Sequence, residues 1–268
     1  MFCVPQMQTQ TATVVNNKLA ANDITCLEFN LSNLLTCLGR WTSCGVDLKQ
    51  FIEFNTVVRS VTFDDARQMF TVISTNVISK VSKTEEFTDV VVAVGIFNVP
   101  HKPQFPGMES FDGRILHSHD FRNALEFKNQ RLLVVGASYS AEDVALQCRK
   151  FGAKSVICTW RTAPMGFKWP AGIEERPLLQ KLSGNTAYFK DGTSAEVDAL
   201  VLCTGYRYNF PFLEDKLRLD CGLTMYPDDT YKGTLWLRGG NGHLFYLGLV
   251  DQYFSYSMFE AQARWAVM

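Results

Sequence analysis

The chain has 268 residues, enough for one large domain or two smaller ones, with 47% hydrophobic and 20% charged residues, an ordinary balance for a protein that buries a core. A formal net charge of −1 speaks against the basic surface that nucleic acid or an anionic membrane would require. No apolar run approaches the ~20 residues of a membrane-spanning helix: the longest, Val90 to Val99, is broken by Gly95 and Asn98, and the polar start, Met1 to Ala20, does not read as a secretory signal.

Residues 1–45 show no sustained helical or strand period, only a short apolar patch from Leu31 to Leu38, and stay unassigned, with disorder as one reading. From Val46 the texture changes. Phe51 to Val61 and Met69 to Val77 alternate like strands, with Phe63 to Arg67 as the turn between them. Phe87 to Val94 reads as one fully buried strand ending at Gly95. The proline-rich link Pro100 to Pro106 marks a domain crossing. Arg131 to Val135 is a short apolar strand running into Gly136-Ala-Ser-Tyr-Ser-Ala141. Glu142 to Phe151 supports a helix with Ala141, Val144, Ala145 and Cys148 on one face and Gly152 just past its end. Ser155 to Trp160 closes a β-α-β unit, and Val197 to Cys203 is a further buried strand ending in Thr204-Gly205. The eight cysteines, scattered from Cys3 to Cys221 without a C-x-x-C pair, read as reduced and intracellular. A cytoplasmic protein is expected.

The turn at Gly136 carries the best-supported site. A dinucleotide fold needs a glycine where the strand breaks sharply, a small residue where backbone meets pyrophosphate, and another where helix packs on strand. Gly136, Ser138 and Ala141 fill those places as G-x-S-x-x-A, a degenerate form of G-x-G-x-x-G. The pyrophosphate would sit at the helix start, among unpaired N–H groups, with hydroxyls from Ser138 and Ser140 as added donors. A plain β-α turn with serine as N-cap is the alternative. At the end of the second strand an NAD-type site places an acid, whereas this chain has Arg161-Thr162. Arg161 can meet a 2′-phosphate, so NADPH is expected over NADH; a solvated surface arginine is the other reading.

These residues resemble a family. Phe111-Asp-Gly-Arg-Ile-Leu-His117-Ser-His-Asp-Phe121 matches F-x-G-x-x-x-H-x-x-x-[YF], the identifying motif of flavin-containing monooxygenases, and lies just before the Gly136 turn, as in that family. Val197 to Phe212, with Cys203-Thr-Gly-Tyr206, resembles the family's second strand-Thr-Gly motif, and Arg161 to Pro170 and Asp251 to Phe259 resemble its bacterial trimethylamine-oxidising branch. The likeness covers roughly Asp47 to Val267 and implies an α/β fold with two Rossmann-like dinucleotide-binding domains, one for FAD and one for NADPH. It matches Ser138, Tyr139 and Ser140 to phosphate and nicotinamide-side contacts and Arg161 and Thr162 to the 2′-phosphate site. It also matches Gln252 and Ser255 to positions near the flavin, and His117 to a motif histidine that links cofactor movement between domains. Gly95 and Gly205 end the family's two strand-Thr-Gly motifs, the first with its threonine replaced by Val94.

In such enzymes NADPH reduces FAD, oxygen adds to the reduced ring, and the hydroperoxide hands one oxygen to a soft amine or sulfide. The protein orients NADP⁺ and excludes water, so no catalytic side chain is assigned. Residues 46–118 and 209–268 are expected to form the remainder of the FAD domain, and residues 119–208 the NADPH domain. The family's N-terminal G-x-G-x-x-G turn for FAD finds no counterpart in residues 1–45, so that βαβ unit is expected to be missing and flavin retention is in doubt. Low solubility, or pairing with another chain such as a homodimer, would follow from the exposed sheet. Three rivals stay open: a Baeyer–Villiger monooxygenase, a simple NADPH-dependent reductase, and a non-catalytic NADP-binding remnant. Two local alternatives are weighed as well, a metal pair at His117 and His119, and an aromatic substrate lining from Trp169, Tyr253, Phe254 and Tyr256.

Overall fold

The computed structural model describes residues 51–97, 99–219, 227–249 and 255–268, the side chains of 255 and 256 excepted. Residues 1–45, with the patch from Leu31 to Leu38 and the expected loss of a flavin turn, lie outside the described residues. The chain divides into two compact units, one running to Val99 and resuming at Arg207, the other spanning Pro100–Tyr206. The first crossing falls at the start of the proline-rich link. The boundaries expected at 118/119 and 208/209 differ from this division. Strand Arg114–His117 pairs in parallel with Ala199–Leu202, which draws it into the central unit.

In the first unit, β1 (Thr56–Asp64), β2 (Met69–Asn76) and β3 (Ser82–Phe87) form an antiparallel meander in that order. Phe63 and Asp64, expected in the turn, extend β1: Phe63 pairs with Phe70 and Asp64 with Met69. The Asp64 carboxylate instead caps the turn by accepting from the N–H groups of Ala66 and Arg67. The single strand expected from Phe87 to Val94 is two. Phe87 ends β3, and β4 (Val90–Val92) starts a different sheet after the exposed Asp89. An apolar run cannot reveal that break, because both pieces bury valine or phenylalanine.

The second unit contains β5 (Arg114–His117), β6 (Arg131–Val135), α1 (Tyr139–Lys150), β7 (Ser155–Trp160), β8 (Ile173–Pro177), β9 (Leu179–Ser183), β10 (Thr186–Phe189), β11 (Ser194–Glu196) and β12 (Ala199–Leu202). Five of these strands make one wholly parallel sheet in the order β5-β12-β6-β7-β8. Both faces are covered. Leu132, Val134, Val156 and Cys158 pack with Ala141, Val144, Ala145 and Cys148 of α1, while Leu133, Val135 and Ile157 face Leu179, Leu182, Ala187 and Phe189 of the β9-β10-β11 meander. A parallel sheet buried on two sides demands strands that are apolar throughout, which is why β6 and β7 were legible as runs. The four α1 residues expected on the buried face are the four that are buried. Back in the first unit, β13 (Thr230–Tyr231), β14 (Leu235–Trp236) and β15 (Leu244–Tyr246) join β4 in the order β13-β14-β15-β4, and α2 (Ser255–Ala266) follows.

Candidate functional site

The sheet order reverses between β6 and β12, since the chain runs outward through β7 and β8 before β12 returns to the other side of β6. In open parallel sheets the crevice at such a reversal, beyond the carboxyl ends of the strands, is where nucleotides bind. Gly136 follows β6 at that point. Its φ is +143°, and a Cβ built on it would lie 2.2 Å from the Cys203 carbonyl oxygen and 2.9 Å from its carbon. A side chain is therefore barred by conformation and by the neighbouring backbone together. The Gly136 N–H donates to Thr159 O at 3.0 Å, which fixes the exit of β6 against β7.

Ser138, in extended backbone at φ −145° and ψ −177°, is the N-cap of α1, and its side chain makes no capping hydrogen bond. Its carbonyl accepts from the N–H groups of Ala141 and Glu142. The hydroxyl is thus left over for a ligand, against the reading of Ser138 as a side-chain cap. Ser138, Tyr139 and Ser140 are exposed, while Ala141 is fully buried where the helix meets the sheet. A bulkier residue at Ala141 would push α1 off β6. The start of the helix adds a positive dipole end. This donor set suits a pyrophosphate.

Arg161 and Thr162 follow β7, whose Thr159 is the register partner of Val135 just before Gly136. Both are exposed, and Arg161 has no ion pair or hydrogen bond among the described residues. A guanidinium left uncommitted beside a phosphate-type turn fits a second phosphate.

His117 ends β5 and is completely buried. Its Nδ1 accepts from the His119 N–H at 3.0 Å, and its Nε2–H donates to Gly205 O at 3.0 Å, a pairing that holds for the neutral ring. Burial pushes its pKa down to about 4. Gly205, at φ +79°, also accepts from the His101 N–H at 2.9 Å. His117 therefore ties the ends of β5 and β12 together. Both ring nitrogens of His117 are thus taken by protein partners, and His119 meets Asp120 at 2.9 Å. Among the described residues no group of three or more His, Cys, Asp or Glu could hold a metal ion.

Of the residues matched to the flavin, Gly95 follows β4 with φ +71° and open space around it. Ser255 begins α2, and Gln252 lies outside the described residues. Trp169 is partly buried, packs against the apolar cluster under α1 and meets the exposed Phe167 edge-on. The other aromatics of the suggested lining, Tyr253, Phe254 and the Tyr256 side chain, lie outside the described residues. Cys148 and Cys158 are buried free thiols whose pKa burial raises to about 12, and Cys203 is raised as well, which makes all three inert. Sequence reasoning missed Glu175, whose carboxylate binds the loop after Arg161. β8 carries two adjacent acids, Glu174 and Glu175, and nothing in the sequence tells them apart.

Residues 29–165 and 171–268 match the flavin-binding monooxygenase-like family, FMO-like. The chain belongs to that family. It is 51% identical over 220 residues to a trimethylamine monooxygenase of Methylocella silvestris, covering 82% of this chain and 48% of the relative. A trimethylamine monooxygenase of Roseovarius sp. strain 217 is 52% identical over 227 residues, 85% of this chain and 50% of the relative. Among solved structures, Tmm from Pelagibacter sp. strain HTCC7211 aligns with a TM-score of 0.79 at 41% identity, covering 92% of this chain and 55% of that one. The chain thus spans about half the length of the curated relatives it matches. The resemblance to the family, carried by the Phe111–Phe121 motif, and to its trimethylamine-oxidising branch, carried by the runs Arg161 to Pro170 and Asp251 to Phe259, holds across most of the chain. Among the described residues no helix is long and apolar enough to cross a membrane.

Proposed function

We propose that the unit Pro100–Tyr206 binds NADPH and belongs to an NADPH-dependent flavin monooxygenase that oxygenates soft nitrogen or sulfur centres, trimethylamine being the first substrate to try. Gly136, Ser138, Tyr139, Ser140 and Ala141 form the pyrophosphate turn, and Arg161 with Thr162 takes the 2′-phosphate. The unit of residues 51–99 and 207–268 is the remainder of the flavin side, with Gly95, Gln252 and Ser255 as its cofactor positions. O2 and an amine or sulfide are the other small-molecule partners, and the location is cytoplasmic. FAD, when bound, supplies the redox and oxygen chemistry. The chain's own residues orient the nucleotide: the glycine turn admits the pyrophosphate, the helix start holds its charge, and Arg161 selects the phosphorylated ribose. His117, neutral and buried, fixes the strand ends around the crevice and transfers no proton.

The observation that carries this reading is the uncommitted Arg161 at the end of β7, one strand from the Gly136 turn. The test of the whole activity is to purify the chain, add FAD, and follow NADPH consumption with trimethylamine or a thioether. Substrate-dependent turnover with a yellow, bound flavin supports the monooxygenase. Tight NADPH binding without flavin or turnover would mark this chain as a nucleotide-binding protein alone.

A further inference from the structure

The segment after β7, residues 161–172, carries Arg161 and is anchored at two places by side chains outside the nucleotide motif. Glu175 on β8 accepts from two successive backbone N–H groups, Met165 to Oε1 at 2.7 Å and Gly166 to Oε2 at 3.2 Å. Further along, Arg149 in the last turn of α1 donates through Nε to Ala171 O at 2.7 Å and through Nη1 to Ala153 O at 3.0 Å. Between these anchors, Met165 and Trp169 pack on the apolar cluster beneath α1. Gly166 bends the chain at φ +72°, with nothing within 4 Å of where a Cβ would stand. The bend is therefore shaped by its backbone and by the Glu175 carboxylate, not by packing around Gly166.

Half-burying a carboxylate is unfavourable unless it gains strong hydrogen bonds, and two charge-assisted bonds to consecutive amides hold a turn more firmly than one neutral bond. In the β7–β8 register Glu175 stands opposite Cys158, on the strand that leads directly into Arg161. We propose that Glu175 is a positioning residue that sets the preference for NADPH over NADH, by fixing the Met165–Gly166 turn of the loop that Arg161 opens. This rests on the assignment of Arg161 to the 2′-phosphate.

The test titrates the full chain with NADPH and with NADH, for the unaltered protein and for Glu175→Gln, Gly166→Ala and Arg161→Ala, with a thermal midpoint for each. Glu175→Gln keeps the size but turns an NH2 group toward one of the two amides. It should weaken NADPH about five- to tenfold and leave NADH within about twofold. Gly166→Ala strains the same turn without touching Glu175 and should move the NADPH/NADH ratio in the same direction. Equal losses for both nucleotides would show a merely structural role and overturn the proposal. So would an unchanged ratio in both turn variants while Arg161→Ala abolishes the preference. If Arg161→Ala itself leaves the ratio unchanged, the phosphate assignment beneath the proposal fails instead.

Discussion

The Cα of Gly136 stands so close to the carbonyl of Cys203 that a single added carbon would sit 2.2 Å from its oxygen. The contact joins the exits of β6 and β12, the two strands that flank the reversal in sheet order. Gly136→Val should consequently abolish NADPH binding and destabilise the fold by about 1–3 kcal/mol or more, the range for overpacking a filled site. Nucleotide titration beside thermal unfolding checks both halves. A valine variant that bound NADPH normally would move the nucleotide away from this turn.

His117 predicts a pH dependence. Its pKa is about 4 in the fold against 6.5 for the free side chain. Between those values the unfolded chain takes up a proton that the fold refuses, so stability is fully present above about 6.5 and is lost as pH falls toward 4. The slope contributed is at most ~1.4 kcal/mol per pH unit. His117→Gln, which cannot titrate but can still donate to Gly205 O, should flatten this part of the profile. Parallel profiles for both proteins would mean that His117 is protonated alike in folded and unfolded chains.

Asp198 holds the entrances of β12 and β6 together. It accepts from the Arg131 backbone N–H at 2.7 Å, from Nε at 3.0 Å and from Nη2 at 2.6 Å. The Arg131 guanidinium holds its carboxyl below the usual carboxylate range. Asp198→Ala should lower the thermal midpoint by a few degrees, and adding Arg131→Ala should cost little more, because the two act as one unit. NADPH affinity should barely change, since this pair sits at the opposite ends of the strands from Gly136. Strictly additive losses would contradict the coupling.

Much of the nucleotide unit was legible in the residues because its physics is local. Arg131–Val135 and Ser155–Trp160 are apolar throughout, as strands buried on two faces must be, and the period of Ala141, Val144, Ala145 and Cys148 marks the one helical face that packs. The β9-β10-β11 meander was not legible. Its strands bury only alternate or scattered residues such as Leu179, Leu182 and Phe189, and what they cover is a sheet assembled from distant segments. The same long-range pairing hid β5, which joins the central sheet only because β12 arrives some eighty residues later. Of the candidate site, the glycine, serine and arginine positions were readable from chemistry at fixed offsets. Glu175 was not, since nothing in the run I-E-E-R-P says that one of its acids binds two amides across the next loop.

Selection of a phosphorylated dinucleotide through Arg161 is tested most directly by NADPH and NADH affinity before and after Arg161→Ala. NADPH binding should weaken by about 1.5–3 kcal/mol, the range for hydrogen bonds to charged groups, while NADH binding stays nearly unchanged. Equal losses for both nucleotides, or no loss for either, would contradict that selection, because only NADPH carries the 2′-phosphate.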